Sequence, residues 1–154
     1  MKSLMLYAIA SLAALLPVGH VIGQTATRQP KPIVEIVKGL EADGYGPFNE
    51  VSMDHQNWEV EAIKDRVSYE LTVDAKTGEV LGQHRDDPDT QPPANAMPLS
   101  KVLQKIIENT AYDEIDEVSF ERRYWEVEVY QDLQQHELHV DPVTARIVSD
   151  RLDD

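Results

Sequence analysis

The chain of 154 residues contains no cysteine and few basic residues. Without cysteine it forms no disulfides, has no acceptor for N-terminal lipid attachment and lacks thiolate nucleophiles. Its 14 Lys and Arg residues face 28 Asp and Glu residues, for a formal net charge of −14. Such a chain repels nucleic-acid phosphates, which argues against nucleic-acid binding. The acidity is typical of a highly soluble protein, a protein with a basic partner or a protein that holds a cation.

One long apolar run is present, and it lies at the N-terminus. Lys2 precedes the almost wholly apolar segment Leu4–Val18, and Gly23 offers a small residue for cleavage. This order is typical of a secretory signal peptide. A transmembrane anchor is the alternative, but a run of about 15 residues is shorter than the roughly 20 needed to cross a bilayer. We therefore predict a signal peptide at 1–23 and a periplasmic or secreted protein without stable membrane insertion.

A repeat becomes visible when the chain is aligned with itself at an offset of 67 residues. The segment Trp58–Glu61 then matches Trp125–Glu128, and 16 of the 43 positions from Tyr45 to Asp87 are identical. An ungapped match of this kind indicates a duplicated module. Proline-bearing segments flank the copies and favour extended backbone. We predict a flexible lead at 24–31, a first module at 32–87, a Pro-rich linker at 88–97 and a second module at 98–154.

Each copy opens as a helix and continues as strands. Apolar residues at helical spacing follow Pro32 and Pro98, positions where a missing amide proton has little cost. The spacing then changes to two, because Trp58, Val60 and Ala62 alternate with glutamates, as their counterparts do in the second copy. This pattern indicates strands buried on one face. We predict an α+β fold of two tandem modules, each with one helix packed on a four-stranded antiparallel sheet.

The connection before the last strand differs between the copies. Asp74 begins a tight turn in which its side chain accepts backbone amides and Gly78 takes a positive φ. Ala145 stands in place of Gly78 in the second copy. We expect either a different turn there or a strain of roughly 1 kcal/mol.

The outward positions of the predicted strands are rich in glutamate. The six that alternate with core residues are Glu59, Glu61, Glu70, Glu126, Glu128 and Glu137. A cluster of this kind is a candidate site for a basic protein surface or for Ca²⁺. A solvated sheet face is the alternative reading. Since no Asp-rich loop with calcium-ligand spacing accompanies the glutamates, a calcium site is unsupported, and we predict neither a metal nor a cofactor.

Other chemically versatile residues have structural interpretations. His136 and His139 lie three residues apart in a strand and therefore point to opposite faces, which argues against a shared metal. Trp58 and Trp125 alternate in phase with valines and are predicted to be core residues. The chain has no Gly-x-Ser-x-Gly motif and no histidine in a catalytic context, so we predict no catalytic residues and no enzyme.

The motifs of the module resemble those of the PepSY domain. The resemblance rests on a helix followed by Gly-Tyr, a W-E-V-E strand, the pattern Y-E-L-x-V-D-x-x-T-G-x-V-L from Tyr69 to Leu81, and a closing Asp-Asp. It covers about 33–87 and about 99–154, although the second copy departs from the pattern at Thr110, Ala111, Pro142 and Ala145. PepSY domains occur in propeptides of thermolysin-type metallopeptidases and in bacterial envelope and secreted proteins, where they are proposed to bind or inhibit peptidases.

The resemblance implies an exported binding or inhibitory module that acts on a protein partner, such as an envelope or secreted peptidase. An acidic cation-binding or sensory accessory protein of the cell envelope is the alternative hypothesis, and a purely structural module is a third. Modules of about 60 residues have thin cores with no room for an enclosed ligand cavity. We therefore expect binding at strand edges or outer sheet faces instead of in a pocket.

Overall fold

The computed structural model describes residues 29–153. The predicted signal peptide at 1–23 and most of the predicted lead lie outside the described residues. Within them the chain forms two helices and eight strands. In chain order these are α1 (Ile33–Ala42), β1 (Phe48–Asp54), β2 (Asn57–Lys64), β3 (Val67–Asp74), β4 (Val80–Arg85), α2 (Leu99–Asn109), β5 (Glu114–Glu121), β6 (Tyr124–Gln131), β7 (Gln134–Val140) and β8 (Ile147–Leu152). Neither described helix has the length and apolar character needed to cross a membrane.

Both helices begin directly after the predicted prolines but end in different ways. After α1, Gly44 adopts a φ of 87° and the amide of Tyr45 donates to the carbonyl oxygen of Leu40 at 3.0 Å. This is the usual way in which a left-handed residue ends a helix. The second copy lacks the glycine, and there the hydroxyl of Thr110 donates to the carbonyl oxygen of Ile106 at 2.7 Å. The second helix therefore ends by a side-chain bond in place of the glycine turn.

All eight strands belong to one antiparallel sheet. Their order is β4-β3-β2-β1-β5-β6-β7-β8, so the first strand of each copy pairs with the first strand of the other. The α+β class is confirmed, but the structure differs from the predicted pair of four-stranded sheets in that the two halves join edge to edge. Only β4 and β8 remain as free edges within the described sheet.

The junction between the halves, here called the seam, consists of one tripeptide paired with its own repeat. Glu50 lies opposite Ser119, Val51 opposite Val118, and Ser52 opposite Glu117. Because the strands run antiparallel, each glutamate faces a serine and avoids the like charge that a parallel arrangement would oppose to it. The two valines are fully buried at the centre of this pseudo-twofold arrangement.

Both helices cover the same face of the sheet and contact each other. Trp58 and Trp125 are 2% and 1% exposed, which confirms the prediction that they are core residues. His136 is half-buried on this side, where its Nδ1 lies 3.0 Å from the hydroxyl oxygen of Tyr112 and 2.9 Å from a carboxylate oxygen of Asp150. It serves there as a hydrogen-bonded structural residue.

The helices are also joined by a charged contact across the seam. Glu41, in the last turn of α1, accepts hydrogen bonds from the amide and the hydroxyl of Ser100 at 3.1 and 2.6 Å. Ser100 is 3% exposed and lies in the first turn of α2. A carboxylate at a helix N-terminus satisfies free amides and complements the helix dipole. The contact therefore ties the first module to the start of the second.

The turns of the two copies have nearly the same backbone. Ala145 adopts a φ of 59° where Gly78 has 79°, and in each turn the first aspartate accepts the predicted backbone amides. The second copy therefore keeps the turn and places an L-residue in the left-handed region. Of the two outcomes expected from the sequence, the strained alanine is the one observed.

Candidate binding face

The glutamates proposed as a binding face lie on the side of the sheet opposite the helices. Along β2, for example, Glu59 and Glu61 alternate with the buried residues Trp58, Val60 and Ala62. The same alternation places the other four, Glu70, Glu126, Glu128 and Glu137, on this outer face. All six are partly exposed. What they bind stays a prediction.

Strand register arranges these carboxylates in rows that cross the sheet. Glu61 lies between Glu50 and Glu70 on the adjacent strands, and Glu128 lies between Glu117 and Glu137. Neighbouring strands are about 4.8 Å apart, so directly opposed side chains interact strongly. Each half thus carries a triad of adjacent glutamates, and the seam brings the two triads onto one surface.

Glu50 and Glu117 were missed by the sequence analysis. They belong to the first strands of each copy, whose outward faces were not assigned. The identical tripeptides Glu50–Ser52 and Glu117–Ser119 were the available signal, since an antiparallel pair of them places both glutamates on the outer face. These two residues bring the named glutamates of the outer face to eight.

The centre of the face is under electrostatic stress. Burial, followed by the charges of Glu128 and Glu50, raises the pKa of Glu117. Burial likewise raises the pKa of Glu61, and the charge of Glu50 raises it further. A hydrogen bond from Asn49 acts in the opposite direction but does not cancel these effects. The pKa of Glu128 is raised by burial and by surrounding carboxylates. The carboxylates are therefore crowded together and only partly hydrated on either side of the seam.

The glutamates at the ends of the rows have basic side chains beside them, unlike those at the centre. His84 Nε2 lies 2.8 Å from a carboxylate oxygen of Glu70, and Arg151 donates to Glu137. Burial acts to raise the pKa of Glu137, but the hydrogen bond and charge of Arg151, with those of His139, outweigh it and lower that pKa. The uncompensated negative charge is thus concentrated on the four central strands.

Three of these residues come close enough to share a metal ion. Glu126, Glu137 and His139 can each place one ligand atom within 4.8 Å of the others. Arg151 donates to Glu137 Oε1, the oxygen that also lies 3.0 Å from His139 Nε2, and a nitrogen of Arg151 is 3.3 Å from His139 Nε2. A guanidinium at this point competes with a cation for the cluster. His136 is not part of the cluster, as its position on the opposite face predicts.

The seam also creates two open clefts on the helix side, which the sequence analysis did not foresee. Their volumes are about 350 and 460 Å³. The expectation that no pocket would form considered one module at a time. The clefts lie between the modules, where the end of one helix approaches the start of the other.

Comparison with known families and structures gives matches over most of the chain. Two family profiles, both described as peptidase propeptide and YPEB domain and abbreviated PepSY, match residues 28–84 and 86–151. No curated protein matches the chain significantly.

Two solved structures are similar to the chain at low sequence identity. A protein from Clostridium difficile 630 described as a lipoprotein shares 14% identity over 78% of this chain and 90% of its own, with a TM-score of 0.46. A BLIP-like protein from Bacteroides fragilis shares 13% identity over 79% of this chain and 86% of its own, with a TM-score of 0.32.

Proposed function

The chain belongs to the PepSY family, with two copies of the domain in tandem, and on this premise we propose that it is an exported, non-enzymatic protein-binding module. Its outer sheet face takes up a basic segment of a protein partner, such as a secreted or envelope peptidase. The main support for this proposal is the crowding of glutamates on the four central strands β2, β1, β5 and β6.

The repulsion between neighbouring glutamates supports a binding role for this face. Like charges directly opposite one another destabilise a sheet, by about 0.2–1 kcal/mol for each pair. The fold does not require glutamate at outward positions, where threonine is an excellent strand residue, as Thr72 illustrates beside Glu59. A partner with lysine or arginine side chains relieves the repulsion, so the face is more stable when occupied than when empty.

The alternative is a cation-binding or sensory accessory protein. It is favoured by the proximity of Glu126, Glu137 and His139. It is disfavoured by Arg151, which already bonds Glu137. Calorimetric titration with Ca²⁺ separates the two hypotheses, because the alternative requires saturable binding that is lost in Glu137→Gln, whereas the proposal requires none.

The direct experiment compares two charge-matched variants. Tagged protein from residue 24 onward is used to recover partners from its native envelope fraction. The face variant carries Glu59→Gln, Glu61→Gln, Glu126→Gln and Glu128→Gln. The control variant removes four exposed charges that lie outside the strands, by Glu35→Gln, Asp43→Asn, Glu79→Gln and Glu108→Gln.

We expect wild type and control to recover the same protein and the face variant to lose it. Residual peptidase activity of that protein, measured with increasing wild type, then tests whether binding inhibits. Equal recovery by all three forms, or recovery of nothing by wild type, contradicts the proposal.

A further inference from the structure

Glu126, Glu137 and His139, here called the histidine cluster, lie together on the outer face of β6 and β7. Glu126 is directly opposite His139 in the strand register, and Glu137 precedes His139 by two residues on the same strand. His139 Nε2 lies 3.0 Å from Oε1 of Glu137 and 3.4 Å from Oε1 of Glu126. Two paired strands therefore direct one nitrogen and two carboxylate oxygens to a single point.

The separations of these atoms match those between neighbouring ligands of a first-row metal ion. Zinc lies about 2.0–2.2 Å from imidazole nitrogens and carboxylate oxygens, so two such ligands are about 3.3 Å apart at a tetrahedral angle and about 2.9 Å apart at a right angle. The contact of His139 with Glu137 is also a hydrogen bond. The contact with Glu126, at 3.4 Å, is longer than the usual hydrogen bond and is not explained in that way.

The imidazole of His139 is held in position by its surroundings. Its ring stacks on that of Tyr124, with centroids 6.1 Å apart and an angle of 16° between the planes. The side chain of His139 is 23% exposed, and those of Glu126 and Glu137 are 37% and 35% exposed. Half-buried side chains on a sheet lose less freedom when they bind an ion than fully exposed ones do.

The kinds of donor atom select the class of ion. Ca²⁺ takes six to eight oxygen ligands, a number that two glutamates do not supply. An imidazole with carboxylates suits zinc and similar divalent ions. Three protein ligands are also the usual number in zinc sites that keep a fourth position open. The histidine cluster is therefore suited to Zn²⁺ and poorly suited to Ca²⁺.

Arg151 supplies the positive charge of the cluster while no ion is bound. It donates to Glu137, and one of its nitrogens lies 3.3 Å from His139 Nε2. Its side chain is 61% exposed and belongs to the edge strand β8, so it is free to turn into solvent. An exposed ion pair contributes at most about 1 kcal/mol. Displacement of Arg151 therefore weakens the binding of an ion by no more than about fivefold.

The first copy of the domain lacks an equivalent cluster. Thr72 stands in the place of His139, and its hydroxyl donates to Glu59 at 3.1 Å. His84 stands in the place of Arg151, and its Nε2 lies 2.8 Å from a carboxylate oxygen of Glu70. Within residues 29–153, the histidine cluster is the one group of three such side chains whose ligand atoms lie within 4.8 Å of one another. The first copy is thus an internal control.

We propose that the histidine cluster binds Zn²⁺ and that Arg151 leaves the cluster when the ion enters. The sequence analysis missed this site because it paired His139 only with His136, whereas the partners of His139 are Glu137 on its own strand and Glu126 on the next. The proposal does not depend on the protein-binding role of the outer face, since its test uses the metal ion alone.

The test is a calorimetric titration of untagged protein from residue 24 onward with zinc chloride, followed by the same titration with calcium chloride. We expect one saturable zinc site and no calcium binding. In parallel, the ¹⁵N signals of the imidazole rings are followed by NMR. The signals of His139 should move on addition of zinc, whereas those of His136, on the opposite face, should not.

Substitutions taken from the repeat identify the ligands. His139→Thr introduces the residue of the first copy and should weaken zinc binding by at least about tenfold, because the loss of groups that only support a ligand already costs about 10–100-fold. His84→Thr removes a histidine that also contacts a glutamate, and it should leave the affinity unchanged. Arg151→Gln should strengthen zinc binding, by up to about fivefold.

Both histidine variants should keep the dispersed NMR spectrum of wild type, and Glu126→Gln should weaken zinc binding in the same direction as His139→Thr. The proposal would be overturned by the absence of zinc binding in wild type, by unchanged affinity in His139→Thr, or by an equal loss in His84→Thr. Weaker binding in Arg151→Gln would overturn the role given to Arg151. None of these results bears on recovery of a protein partner, so the two proposals fail separately.

Discussion

Ala145 shows how far the sequence predicts structure at the scale of one residue. The repeat identifies it as the counterpart of Gly78, and its φ of 59° places an L-residue in the left-handed region. This conformation costs roughly 1 kcal/mol for residues other than glycine. We expect Ala145→Gly to raise the free energy of unfolding by about 0.5–1 kcal/mol, measured by chemical denaturation.

The matched change in the first copy is Gly78→Ala. A β-carbon added there meets the side chain of Ile36 at 3.7 Å, which is ordinary contact, so the substitution tests backbone strain without a clash. It should destabilise by about the same amount. A lower melting temperature for Ala145→Gly would contradict the account of this turn.

Glu61 and Glu128 report on the stress of the outer face. Their pKa values are raised, chiefly by burial, so the folded state binds protons more readily than the unfolded state. Their contribution to stability is therefore lost as pH rises through the folded pKa and regained as pH falls back through it. Glu61→Gln with Glu128→Gln should stabilise the protein at pH 7, by about 0.2–1 kcal/mol for each residue, and flatten this pH dependence.

Glu137 provides the control with opposite sign. Its pKa is lowered despite burial, because Arg151 and His139 bond its charged form. Glu137→Gln should therefore reduce the free energy of unfolding at neutral pH. If Glu137→Gln instead stabilised the protein, as we expect of Glu61→Gln, then Arg151 and His139 would not compensate the charge at the end of the row.

At the scale of elements, periodicity predicted both helices and all eight strands but not the pairing of β1 with β5. Periodicity reports which face of a strand is buried, whereas the choice of neighbour depends on contacts between distant edges. Treating each copy alone left both first strands as free edges. The repeated Glu-Val-Ser tripeptide carried the missing information, because it pairs with itself without opposing two glutamates.

The contact between Glu41 and Ser100 belongs to the same scale. It joins the end of α1 to the start of α2, and its two hydrogen bonds involve a charged acceptor. We expect Glu41→Ala to lower the free energy of unfolding by about 1–3 kcal/mol in chemical denaturation. Glu108→Ala, at an exposed position of α2, should change it by less than about 0.5 kcal/mol. Similar small effects for both would show that the helix contact does not hold the modules together.

At the scale of the whole molecule, duplication produces surfaces that neither copy has alone. Each module is small, with a thin core, and joining the sheets removes two exposed edges while placing both helices on one side. The glutamate triads of the two halves become one acidic face across the seam. The six glutamates were predictable from alternation, whereas the continuity of the face depended on the unpredicted strand pairing.

The most direct test of this account is the affinity of the recovered partner for wild type and for the variant with Glu59, Glu61, Glu126 and Glu128 changed to Gln, each measured by calorimetry at low and high salt. We expect wild-type affinity to fall with salt, because screening weakens attraction between exposed charges. The variant should bind more weakly at low salt and show little salt dependence while keeping its fold. Unchanged affinity and unchanged salt dependence in the variant would contradict the assignment of the outer face as the binding surface.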